Sequence, residues 1–115
     1  MDTLLERLEI LEKSNVITEN AKAICSKVIE QFVDEENASR YSMLITHLAM
    51  AVTRIERNET VYSPPDIIMN EVYLSSHFPA AVEKVAMIEK WMNGNFPEEE
   101  RKFLYMHFVN VLSKP

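Results

Sequence analysis

Glycine is almost missing from this chain: Gly94 is the only one in 115 residues. A sheet protein of this size needs more turn glycines, and a phosphate-cradling loop needs several, so both classes are excluded. Cysteine is as scarce. Cys25 has no second cysteine to bridge to, which rules out a disulfide framework and suits a reducing compartment. Lys and Arg form no cluster, and the formal net charge is −6. The basic runs Arg54–Arg57 and Arg101-Lys102 are broken or flanked by acidic and apolar residues, so direct nucleic-acid binding, which needs a positive face, is not expected. No stretch approaches the ~20 apolar residues of a membrane span, and no charged-then-apolar leader opens the chain. The expectation is a soluble, cytoplasmic protein with no membrane partner.

Catalytic and metal signatures are missing too. There is no HExxH, no Cys/His metal spacing and no serine in a nucleophile elbow. A metal site built from His47, His77 and His107 would need three scattered residues to converge. Neither a metal nor a cofactor is expected, and the chain is not read as an enzyme.

What is present reads as helix. Apolar residues make up 47% of the chain against 26% charged, the balance of a folded globular protein rather than a disordered tail. The length fits one domain with a real core. Residues 1–17 read as an amphipathic helix with a connector, Leu4, Leu5, Leu8 and Leu11 facing inward. Residues 18–115 read as the main helical bundle. Thr18 is placed to cap a helix running to about Glu35, with Ala21, Ile24, Cys25, Val28, Ile29 and Phe32 inward. Asp34 to Asn37 reads as a turn, after which Ser39 can cap the central helix. Pro65 can open a short helix through about Ser75. Pro79 starts another, and Gly94 offers it a left-handed exit. Pro97 opens the last helix, where Glu98, Glu99 and Glu100 complement the dipole. From Phe103 to Leu112 that helix is nearly all apolar, so burial on most sides is expected.

The central helix organises the rest. Tyr41, Leu44, Ile45, Leu48, Val52 and Ile55 recur at helical spacing and form one buried stripe. His47 lies roughly 120° from the centre of that stripe, on the flank that carries Met43, Ala51 and Arg54. Arg54 follows His47 by seven residues, nearly two turns, so cation and imidazole share a face. His107 sits within the apolar last helix, with Glu100 seven residues earlier on the same face. Each histidine also has an ordinary reading: His107 as a buried ring with one hydrogen bond, His47 as a boundary residue. His77, in Ser75-Ser76-His77-Phe78-Pro79, reads as a surface turn.

The ordered set of features resembles a known family. Leu44-Ile45-Thr46-His47-Leu48 comes first, with Arg54 after it. A proline-bearing loop follows, then Phe78-Pro79 and a helix with Ile88-Glu89. Last comes Phe96-Pro97-Glu98-Glu99-Glu100, leading into Phe103-Leu104-Tyr105-Met106-His107-Phe108. This is similar to the PTS regulation domain, the phosphorylation-responsive module of bacterial antiterminators and activators controlled by the sugar phosphotransferase system. The likeness covers roughly Ala21 to Leu112.

The resemblance implies an all-α, five-helix bundle, here with an additional short N-terminal helix, and usually a homodimer. It implies phosphate acceptance at His47 and His107 from the phosphocarrier protein HPr or a sugar-specific EIIB component. Arg54 matches the family's arginine after the first histidine, and Glu100 its acid before the second. The sequence departs from the family at Arg101-Lys102, where an apolar residue and a glycine are common. Such modules are commonly fused to an RNA- or DNA-binding domain, so a separate effector protein is the implied output here. A neutral imidazole can take phosphate from a phosphohistidine with no cofactor of its own. The product adds close to two negative charges, by analogy with other phosphorylated side chains. The alternative reading is a helical adaptor that keeps the fold, is not phosphorylated, and binds a partner protein through its N-terminal helix. A small helical enzyme using histidine as a base is more distant.

Overall fold

The computed structural model describes residues 2–113, so Met1 and the last two residues of the expected 18–115 bundle lie outside the described residues. Every regular element among the described residues is helical: α1 (Asp2–Lys13), α2 (Glu19–Phe32), α3 (Ala38–Glu56), α4 (Asp66–Leu74), α5 (Phe78–Met92) and α6 (Glu98–Ser113). The all-α architecture of five helices behind a leading one is thus as the sequence implies. The chain divides into two compact units, Met1–Thr60 with α1 to α3 and Val61–Pro115 with α4 to α6.

In the first unit α2 packs chiefly on α3, and α1 lies across both. Leu4 and Leu8 of α1 are buried, as are Ile24, Cys25, Val28 and Ile29 of α2 and Leu44, Ile45, Leu48 and Val52 of α3. Each fully buried aliphatic side chain contributes about 1.5–3 kcal/mol. Leu5, expected inward, is instead 40% exposed, because the pair that packs is the i, i+4 pair Leu4 and Leu8.

Polar contacts fix where the helices start and stop. Thr18 caps α2 by accepting from the Ala21 N–H at 3.1 Å, as its sequence position suggests. It also ties α2 to the end of α3, donating its hydroxyl to Glu56 at 2.6 Å and its N–H to the buried Thr53 hydroxyl at 3.1 Å. Helix α2 stops at Phe32 rather than Glu35. Asp34 and Asn37 bond reciprocally, each side-chain oxygen accepting the other's N–H (2.8 and 2.9 Å), and the Asn37 amide donates to the Phe32 carbonyl at 3.2 Å. These side chains offer the backbone a turn in place of another helical turn. Asn37, not Ser39, consequently occupies the cap position before α3, with no side-chain cap bond there.

In the second unit α5 packs mainly on α6, with α4 against both. Tyr73, Phe78 and Tyr105 join these three helices edge to face, with ring centroids 5.2 and 5.3 Å apart. Burial lifts the Tyr105 phenol above its ordinary range. On α6 only the face with Glu100, Leu104, Phe108 and Val111 is fully buried. Between Phe103 and Leu112 the flanks are half-buried, with Asn110 exposed, and so less enclosed than the apolar run suggests.

A chain almost without glycine must use another residue for its left-handed turns. Among the described residues asparagine takes the part three times, at Asn15 (φ 60°), Asn58 (φ 57°) and Asn93 (φ 58°), just past the ends of α1, α3 and α5. Gly94 does not adopt a positive φ. The left-handed exit expected at Gly94 falls one residue earlier, at Asn93.

Candidate functional site

Helix α3 holds His47 at the edge of its apolar stripe, between the exposed Met43 one turn before it and the buried Ala51 one turn after it. With Leu44, Leu48 and Val52 buried, His47 is half-buried, and Met43, one turn before it, is 74% exposed. Nε2 of His47 is fully buried. That nitrogen meets a visiting molecule only when the ring turns outward, whereas the edge of the helix beside it, at Met43, is open. Arg54 is half-buried in the last turn of the same helix. Seven residues correspond to about 10.5 Å of rise and nearly two turns, so His47 and Arg54 occupy one face.

In the other unit, α6 carries the second pair. Glu100 is 2% exposed and lies in the first turn, while His107 is half-buried near the middle. These two also share a face at seven-residue spacing. His77 is half-buried rather than a surface residue. It occupies the position before α5, with its N–H donated to the Ser75 hydroxyl at 3.1 Å.

The loop that leads into α6 is built around Glu89. One carboxylate oxygen, Oε2, accepts the Phe96 N–H at 2.8 Å and the Arg101 guanidinium at 2.8 and 3.3 Å. The hydrogen bond that Arg101 donates to Glu89 holds its guanidinium still more firmly protonated than an ordinary arginine. Phe96 is buried beside it. Arg101, foreign to the pattern noted in the sequence, is therefore a structural residue that fastens the start of α6 to α5.

Sequence reasoning missed Arg7. Its Nη1 donates to the Ser42 hydroxyl at 2.7 Å and to the Thr46 hydroxyl at 3.1 Å. Thr46 immediately precedes His47. Contacts reaching 35 and 39 residues along the chain leave no trace in local spacing.

Among the described residues no group of three or more His, Cys, Asp or Glu is arranged to hold a metal, and no helix is long and apolar enough to cross a membrane. Compared with protein families, residues 18–111 match the PRD domain, most of the chain. The chain belongs to the PRD family. PRD domains are helical regulatory modules, not enzymes, in transcription regulation governed by the sugar phosphotransferase system, whose components phosphorylate them. The PRD match spans His47, Arg54, Glu100 and His107 and leaves α1 outside it. Comparison with curated proteins and with solved structures returns no match.

Proposed function

We propose that this PRD accepts phosphate on His47 and on His107 from HPr or an EIIB component in the cytoplasm, and that the added charge changes its association. The observation that carries the reading is the placement of His47: within the matched segment, half-buried at the edge of the α3 core stripe, one turn from the exposed Met43 and on the face of Arg54. Transfer needs only a nitrogen lone pair. As the P–N bond of the donor phosphohistidine breaks, a new P–N bond forms at the acceptor imidazole. The donor ring leaves with the bonding pair and takes up the proton that the acceptor loses.

The phosphoryl group brings close to two negative charges. On a chain of net charge −6 they repel, except near a cation such as Arg54. A coupling of about 1–3 kcal/mol suffices to alter affinity severalfold. The output is a change in homodimerisation or in the binding of a separate effector protein.

The test is incubation with phosphoenolpyruvate, enzyme I and HPr, and in parallel with a phosphorylated EIIB, followed by mapping of acid-labile phosphohistidine by mass spectrometry. Label on His47 is expected. Absence of label on both His47 and His107 with every donor rejects the reading.

A further inference from the structure

Helix α1 lies outside the family-matched segment, yet it is fastened directly to the part of α3 that carries His47. Glu9 and Glu12 of α1 are met by Lys22 of α2 at 3.1 and 3.5 Å. Arg7 is different. Both of its hydrogen-bond partners among the described residues, Ser42 and Thr46, are neutral hydroxyls. In an acidic protein with 18 Asp and Glu against 12 Lys and Arg, this guanidinium meets no carboxylate among the described residues. Among the described residues no counter-charge stands against it, and its contact at Thr46 is one residue away from the proposed acceptor.

We infer that Arg7 reads the phosphorylation state of His47, leaving the Ser42 and Thr46 hydroxyls for the phosphoryl oxygens and drawing α1 tighter onto α3. This rests on His47 being a phosphate acceptor. One step along a helix is 1.5 Å of rise and 100° of turn, so a phosphoryl group on His47 stands within roughly 10 Å of the guanidinium. That is about one Debye length at moderate salt, and Arg7 is a long, solvent-exposed side chain free to swing across it. Arginine suits the role because its planar fork matches phosphate, and charge-assisted bonds to phosphate are shorter and stronger than those to hydroxyls. No covalent step occurs at Arg7. It exchanges two neutral acceptors for two anionic ones.

The experiment uses phosphoramidate, which needs no partner protein. The imidazole nitrogen forms the new P–N bond while ammonia leaves with the old bonding pair and the proton given up by the ring. In one sample the label is mapped and amide hydrogen exchange of α1 is followed before and after treatment. With His47 labelled, α1 amides should exchange about threefold more slowly or better in the wild-type chain. The slowing should vanish in Arg7→Gln, persist partly in Arg7→Lys, and weaken in high salt. If His47 is labelled and α1 exchange is unchanged, or slows equally in Arg7→Gln, the inference fails while phosphate acceptance stands. If His47 takes label from neither phosphoramidate nor a protein donor, both fail together.

Discussion

Glu89 and Arg101 meet at 2.8 Å across the turn between α5 and α6, and the same carboxylate oxygen holds the Phe96 N–H. Removing the acceptor strands a backbone donor beside the buried Phe96. Glu89→Ala should destabilise the protein by about 1–3 kcal/mol. Arg101→Met, which leaves the Phe96 bond in place and removes a partly exposed ion pair, should cost about 1 kcal/mol or less. Urea denaturation of the two variants checks the order.

Asn93 and Gly94 give a second contrast. Asn93 bears the left-handed conformation, whereas a Cβ added at Gly94 meets nothing within 4 Å and the residue has no positive φ. Gly94→Ala should be neutral or stabilising by about 0.4–1 kcal/mol, through a less mobile unfolded chain. Asn93→Ala should cost about 1–2 kcal/mol. Melting curves of both variants decide this, and a larger loss at Gly94 would overturn it.

Cys25 is buried, donates weakly to the Ile45 carbonyl at 3.6 Å, and has its thiol pushed up from 9.0 by burial. In the native state it should resist alkylation at pH 8 and react once the protein is unfolded. Because the folded state keeps its proton more tightly, stability from this group is complete below about pH 8 and falls as the pH rises past the unfolded thiol's value. Denaturation at pH 8 and pH 10, comparing wild type with Cys25→Ala, reads the difference: the wild type should lose more on going to pH 10.

Leu8 tests whether α1 belongs to the fold. It is 1% exposed, so Leu8→Ala should cost about 2–5 kcal/mol, and Leu8→Met under about 1.5 kcal/mol. A cost near zero for Leu8→Ala, measured by chemical denaturation, would mean that α1 does not pack as described.

The buried stripe of α3 was legible because Leu44, Ile45, Leu48 and Val52 repeat at the helical period, and period survives in sequence. The same holds for Thr18, whose cap is a local contact. Helix ends were less legible. Asp34 and Asn37 compete for the backbone through reciprocal bonds, which composition marks as a turn without saying that it stops α2 at Phe32. Gly94 drew the left-handed exit to itself on propensity, but the adjacent Asn93 is also able to adopt it. Leu5 looked like core because α1 has more leucines than its buried face can hold. Arg7 and Arg101 could not be read at all, since their roles depend on partners brought close only by the fold.

The central claim is that His47 takes up phosphate. The most direct measurement is the phosphorus NMR spectrum of the protein after transfer from HPr or EIIB, recorded for wild type, His47→Ala and His107→Ala. A phosphoramidate-type resonance present in wild type and His107→Ala, and lost or reduced in His47→Ala, is the predicted result. A spectrum unchanged by His47→Ala, or one with no protein-bound phosphorus in any of the three, would contradict it.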